Sequence, residues 1–416
     1  MTGTVSSGRV AVGDELTLLP GGETVRVRGV QVHGEAVEES SAGLRTALNL
    51  AGGGKQEPAR GAVVGTPGAL FESSIVDVRY RHLPGAPDLA RMSRVRLLIG
   101  TSEVLAVVEL LDGDGDPATD GEERWLQLRC EAPVVAWPGD RFVLRRATPL
   151  TTLGGGEVVD PFAPRVRRRD VGAAVELLER MSAGDEIARL DRAGAVGLTE
   201  TEAAARGLSE EYEGVVRLGE RLLSTAQLEV LRERLLKALT EAHDSAPLSR
   251  WVGRRVIFQG LFEALGVAAF NDLLTLLVDE GKIVAEGPGV ALRGWSVELS
   301  QAQRDALTQL LEVLQVSGLE PPSLKELPRH KALDNDLIAH AVEEGLVVRI
   351  GATLYLRAHL EAVKGQVISL LSREGELTPG AFKGLTGLSR KGAIPMLEWL
   401  DREGVTKRRG DVRVRA

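Results

Sequence analysis

Cationic side chains crowd the last forty residues of an acidic chain. Between positions 379 and 416 lie Lys383, Arg390, Lys391, Arg402, Lys407, Arg408, Arg409, Arg413 and Arg415, against Glu398, Asp401, Glu403 and Asp411. The whole chain of 416 residues carries a formal charge of −8. Salt confines such fields to about 8–10 Å, so an acidic molecule can still grip a polyanion at one basic end. The spacing sharpens the chemistry. Ser389 stands where a helix N-cap would, followed by Arg390 and Lys391, and Ile394, Leu397 and Leu400 then recur at helical spacing. Cations in a first helical turn oppose the macrodipole, at a cost of a few tenths of a kcal/mol. Phosphate there reverses the sign, because backbone N–H groups and basic side chains act on it together. Candidate nucleic-acid ligands are therefore Lys383, Ser389, Arg390, Lys391, Lys407, Arg408, Arg409 and Arg413.

The elements that must position these residues follow from a repeat. "SEEYEGVVRLGERLLS" (209–224), "LLVDEGKIVAEGPGVALR" (276–293), "HAVEEGLVVRIGATLYLR" (340–357) and "WLDREGVTKRRGDVRVR" (399–415) share one grammar. Each places Glu-Gly before a β-rich stretch, a second Gly five or six residues on, and another β-rich stretch. The Glu-Gly glycines, Gly214, Gly281, Gly345 and Gly404, are separated by 67, 64 and 59 residues, which predicts four copies of one small domain. In the last copy a helix ends at Gly404, "VTKR" and "VRVR" form strands, and Arg409-Gly410-Asp411 turns the chain between them. Alternation predicts Val412 and Val414 on one face and Arg413 and Arg415 on the other. Helices followed by a hairpin within about 60 residues describe a winged helix, and such a domain meets nucleic acid at its helix start and wing. Copies two and three offer weaker secondary contacts in Trp251, Arg254 and Arg255, and in Lys325, Arg329, His330 and Lys331. The first copy leaves little room between Gly207 and its Glu-Gly phrase, predicting a stunted third helix and a structural role. Pro395 removes one backbone bond from the last helix, or starts its regular part.

Residues 1–165 differ in texture. "GRVAVGDELTLLP", "ETVRVRGVQVH" and "LRTALNLAG", then "RVRLLIG", "EVLAVVELL", "RWLQLRCE" and "DRFVLRR", are short strands with Gly and Pro turns, as in all-β barrels. The acidic segment "DGDGDPATDGEE" (112–123) lacks the ordered ligands of an EF-hand and reads as a hairpin tip. The single Cys130 excludes an internal disulfide framework and a cysteine-rich zinc site. The six histidines are scattered, and no HExxH or Gly-x-Ser-x-Gly occurs, so no enzyme chemistry is expected. No apolar run reaches the ~18–20 residues of a membrane span, and the composition, 43% hydrophobic and 26% charged, is that of globular protein. A cytoplasmic location is the expectation.

Several phrases carry a family resemblance. "GTVSSGRVAVGDELTLLP", "HGEAVEESSAGLRTALNLAG" and "ARGAVVG" resemble the second domain of Tu-type translational GTPases, and "PVVAWPGDRFVLRR" resembles the third. "TTLGGGEVVDPFAPRVRRR" (151–169), followed by four winged helices, is similar to the bacterial selenocysteine-specific elongation factor. The resemblance implies a β-barrel over 1–68 with a shortened first strand, and a second barrel over 69–165. Winged helices follow over 166–224, 225–299, 300–357 and 358–416, the last binding RNA. It also implies partners: a hairpin in selenoprotein mRNA, selenocysteinyl-tRNA and the ribosome, served by a monomer. Arg45, in "AGLRTALNL", matches the family arginine that lines the aminoacyl pocket. Its guanidinium would favour an ionised selenol over a neutral hydroxyl.

The chain departs from the family in one respect. It contains no G-x-x-x-x-G-K-[ST] and no Asn-Lys-x-Asp phrase; "AGGGKQEP" (51–58) has the wrong spacing and no hydroxyl after Lys55. The expectation is a fragment, a split gene product or a mis-started reading frame. It would bind neither GTP nor Mg, the cofactors of the full-length family, and would hold aminoacyl-tRNA weakly. The competing reading is a winged-helix DNA-binding regulator with N-terminal β domains, because tandem winged helices alone do not fix a function.

Overall fold

The computed structural model describes residues 1–52, 58–208, 213–324, 326–327 and 332–416. They form two compact units, Met1–Glu233 with Phe262–Leu273, and Arg234–Leu261 with Leu274–Ala416.

The first unit begins with a six-stranded antiparallel sheet. Its path runs Thr2–Thr4, Arg45–Gly52, Glu23–Val32, Glu15–Leu19 and Val63–Gly65, with Glu35–Val37 also on Glu23–Val32. The alternation of "ETVRVRGV" puts Val25 and Val27 into its core, and a register shift between Val27 and Gly29 changes the phase so that Val30 joins them beside Leu16 and Leu18. The expected barrel is here a half-barrel: the path is open, because its two end strands are three residues each and do not pair.

The second β domain does close. Its circuit is Arg94–Ile99, Ser102–Leu110, Glu123–Val135, Glu72–His82, Thr151–Asp160 and Arg141–Arg146. Val76, Val78, Tyr80, Leu97, Leu126, Leu128 and Leu144 fill it. The Gly154-Gly155-Gly156 run has a steric reason. A Cβ on Gly156 would lie 1.9 Å from the Arg79 carbonyl oxygen, and one on Gly154 2.3 Å from that of Arg81. Closure brings those backbones too near for any side chain. The acidic 112–123 segment is also better built than a hairpin tip. It folds around Arg124, whose guanidinium donates to Asp112 Oδ1 (2.6 Å), to the carbonyls of Asp112 (2.9 Å) and Asp116 (3.0 Å), and to Glu122 (3.2 Å). An arginine of the chain itself supplies the positive charge.

Four helical modules follow. The first has α1 (Val171–Ser182), α2 (Ile187–Ala193) and α3 (Glu200–Ala205), then the hairpin Val215–Leu218/Arg221–Ser224. Residues 209–212, between α3 and the hairpin, where the stunted helix expected from the sequence would fall, lie outside the described residues. The second has α4 (Thr225–Ser245), α5 (Arg254–Leu261), α6 (Val267–Asp279) and the hairpin Ile283–Glu286/Gly289–Leu292. The third has α7 (Gln301–Ser317), α8 (Asn335–Glu343) and Val347–Ile350/Thr353–Leu356. The fourth has α9 (Arg357–Glu374), α10 (Pro379–Thr386), α11 (Arg390–Arg402) and Thr406–Arg409/Val412–Arg415. A further pairing extends each hairpin: the short strand Val252–Gly253 joins Val290 in the second module, and single bridges join Leu198 to Leu222, Ser323 to Thr353 and Leu377 to Arg413 in the others. The repeat glycines explain themselves: Gly214, Gly281, Gly345 and Gly404 have φ of 91, 67, 71 and 68°, a region open to glycine at no steric cost.

Modules three and four share one core. Ile350 and Tyr355, from the third hairpin, pack with Leu360, Val363, Phe382, Met396, Leu397 and Trp399. Among the described residues, no helix is long and apolar enough to cross a membrane.

Candidate nucleic-acid interface

Ser389 occupies the N-cap position of α11 with extended backbone (φ −64°, ψ 163°), but its hydroxyl makes no capping bond. Its carbonyl accepts from the N–H groups of Gly392 (3.1 Å) and Ala393 (2.9 Å). The hydroxyl is left to solvent, and the N–H groups of Arg390 and Lys391 open the helix, where no preceding turn supplies acceptors. Arg390 and Lys391 are both exposed. Pro395 lies inside the helix, so it does not start the regular part. Having no N–H, it leaves the Lys391 carbonyl without its intrahelical partner. The buried face of α11 is Ala393, Met396, Leu397, Trp399 and Leu400, whereas Ile394 is exposed beside the basic first turn.

The wing adds Lys407, Arg408 and Arg409, all exposed. Arg408 Nε donates to the Gly410 carbonyl (3.1 Å), which steadies the guanidinium over its own turn. Lys383, on α10, is exposed as well. One neighbour reaches this surface from module three. The Ser323 hydroxyl and N–H hold the Glu326 carboxyl below its ordinary range, and Lys391 adds to the effect.

Arg413 must be removed from the candidate set. It is buried, and its Nε donates to Asp401 Oδ2 (2.9 Å) and Oδ1 (3.1 Å). The Thr406 hydroxyl donates to the same Oδ1 at 2.5 Å. Thr406 and Arg413 thus turn toward α11, which takes Arg413 away from the surface where the sequence placed it as a nucleic-acid ligand. A carboxylate in the last turns of the helix draws the arginine inward. Asp401, read in the sequence as an opposing charge, is the group that fixes wing to helix.

The other modules present less. In the first, the wing turn is occupied: the Gly219 N–H donates to Asp272 on α6 (2.6 Å), and a Cβ there would lie 2.8 Å from the Ala269 nitrogen. That contact also covers the start of α6. In the third, Asp334 caps α8 through the Leu337 N–H (2.8 Å) and Asp336 follows, so this helix start is acidic. Its wing residue Ile350 is committed to the shared core. Trp251 is half-buried, donating its N–H to Glu343 (3.0 Å) and lying beneath Arg250. Arg254 is half-buried and Arg255 exposed. Lys325, Arg329, His330 and Lys331 lie outside the described residues. Among the described residues, only module four combines a basic helix start with a basic wing, both in solvent.

Arg45 opens the strand Arg45–Gly52, opposite Thr4, and is exposed. No group of acidic, cysteine or histidine side chains able to hold a metal occurs among the described residues.

Known proteins resemble this chain in sequence and fold. A family model described as the winged helix of elongation factor SelB matches residues 369–415, and one for the β-barrel domain of the selenocysteine-specific elongation factor matches 76–165. A selenocysteine-specific elongation factor from Desulfomicrobium baculatum is 31% identical over 442 residues, covering 99% of this chain and 68% of that protein. The chain belongs to the family of selenocysteine-specific elongation factors. The Escherichia coli K12 member is 27% identical, again over 99% of this chain and 67% of its own length. A crystal structure of a bacterial selenocysteine-specific elongation factor matches with a TM-score of 0.58 at 20% identity, covering all of this chain and 69% of the other, which shows the fold. The chain therefore spans about two thirds of the length of these relatives. Family membership replaces the DNA-binding regulator reading.

Proposed function

We propose that module four anchors this elongation factor to a hairpin in selenoprotein mRNA, through Ser389, Arg390, Lys391 and the wing cations Lys407, Arg408 and Arg409, with Lys383 alongside. The observation that carries the reading is that helix start and wing are basic and free together only in this module among the described residues. An A-form groove is too narrow to admit a helix, so a hairpin is met through phosphates, shape and unstacked loop bases. A helix start with a wing suits that better than a helix laid lengthwise. The β domains receive selenocysteinyl-tRNA, with Arg45 toward its aminoacyl group, and meet the ribosome, in the cytoplasm. Tethering raises the local concentration of the charged tRNA at the decoding site. GTP and its magnesium are assigned to the third of the relatives' length that this chain does not span, because its own sequence holds no P-loop.

The test is a titration of the full chain with a selenoprotein-mRNA hairpin, and with RNA and DNA duplexes of unrelated sequence, at several salt concentrations. The hairpin is expected to bind far more tightly, with a log–log salt slope that reports about 3–6 neutralised phosphates. Arg390→Ala with Lys391→Ala should cost about 2–4 kcal/mol, at roughly 1–2 per charge-assisted contact. Equal affinity for hairpin and duplexes would reject the reading.

A further inference from the structure

The joint between the closed barrel and the first helical module concentrates guanidinium groups that RNA anchoring does not use. Asp77 and Asp160 are buried on the barrel. Arg192, from α2, pairs closely with Asp77 and places its Nε 3.7 Å from Asp160, with 8% of its side chain exposed. Beside it opens a cavity of about 210 Å³, lined among others by Asp160, Phe162, Arg192, Glu202, Arg206 and Arg221.

Each carboxylate there already has partners. Asp160 accepts from the Phe162 N–H (3.0 Å) and faces Arg192. Glu202 accepts from the Thr199 N–H (2.8 Å) and from Arg221 (3.4 Å). Arg206 has no carboxylate within 4.0 Å among the described residues. Its guanidinium lies 4.9 Å from the Phe162 ring centroid and, among the described residues, donates only to the carbonyls of Glu202 and Phe162, each at 3.4 Å. Arg189, nearby, donates to the Val159 carbonyl at 3.4 Å. The Nε groups of Arg189 and Arg192 are buried without a hydrogen-bond partner among the described residues. Burial holds Arg189 and Arg206 below the ordinary guanidinium range.

Asp160 and Glu202 act on Arg206 only from beyond contact distance, so its desolvated guanidinium lacks a direct counter-ion, and buried donors left over call for an acceptor. Guanidinium matches tetrahedral oxyanions with parallel, charge-assisted bonds. We infer that this cavity binds a phosphoryl anion, held by Arg206 and Arg192 with Arg221 at the rim. The space suits one or two phosphoryl groups and not an attached nucleoside. A bound anion would tie α2 and α3 to the strand exit at Asp160–Phe162 and stiffen the joint. The source is either free phosphate or pyrophosphate, or a phosphodiester of RNA.

Calorimetric titration with pyrophosphate tests this in the full chain carrying Arg390→Ala and Lys391→Ala, which lowers binding at module four. A dissociation constant below about 1 mM is expected, weakened at least tenfold by Arg206→Gln. Arg217→Gln, whose side chain pairs with Glu200 at the surface, should change nothing. Circular dichroism checks folding, and Arg206→Lys, which keeps the charge but loses the fork, should weaken binding severalfold. Displacement of pyrophosphate by an RNA duplex assigns the site to RNA phosphates; no displacement assigns it to the free anion. No saturable binding at about 10 mM, or equal affinity in Arg206→Gln, would overturn the inference. Neither outcome bears on hairpin binding by module four.

Discussion

Replacing Arg413 by alanine separates architecture from recognition within one hairpin. Arg413 spans both oxygens of Asp401, at 2.9 and 3.1 Å, and its side chain is 10% exposed against 25% for Asp401. Breaking a fully buried pair by removing one partner costs about 3–5 kcal/mol, because the other charge is stranded. Asp401 keeps the Thr406 hydroxyl and a quarter of its surface in water, so we expect about 2–3 kcal/mol. The backbone bonds of Arg413 to Leu377, at 2.9 and 2.7 Å, survive the change. Amide hydrogen exchange of α11 and its hairpin in the full chain reads this locally, and should quicken about 30- to 150-fold, at 1.4 kcal/mol per decade. The salt slope of hairpin binding should stay within about 0.5 of wild type. Arg408→Ala with Arg409→Ala should do the opposite, lowering the slope by about 1.8 and leaving exchange unchanged. A loss of about one unit of slope in Arg413→Ala, with protection intact, would refute the assignment of Arg413 to the core.

Three further outcomes are expected. Burial pushes Asp77 up to about 7, against Arg192 and the Gln127 amide. A raised acid favours the folded state when protonated, so this contribution is present at low pH and is lost as pH rises from about 4 to 7; unfolding curves of Asp77→Asn should show a flatter pH dependence than wild type across that range. Burial pushes the Cys130 thiol up to about 12, so a thiol reagent at pH 8 should label it only after denaturation. Gly404→Ala meets no atom within 4 Å but must hold a φ of 68°, so it should destabilise module four by about 1–2 kcal/mol in denaturant titration.

The sequence by itself determined what depends on a few neighbouring residues. Helix ends at Gly281, Gly345 and Gly404 and hairpin turns at Gly287, Gly351 and Gly410 are consequences of local chirality, and all show positive φ. The start of α11 at Ser389 and the alternation of the β-rich third are likewise short-range. The basic cluster was visible as composition. Only tertiary structure decided which cations are free, because a charge is neutralised by groups that the chain brings from afar. Asp401 reaches Arg413 across twelve residues, and Arg192 reaches Asp77 across 115. Neither spacing leaves a periodic trace. The Gly219 contact that occupies the first wing, the open path of the first sheet, and the cavity beside Arg206 were illegible for the same reason. Backbone conformation is set by near neighbours, whereas burial and charge pairing are set by whatever the fold places alongside.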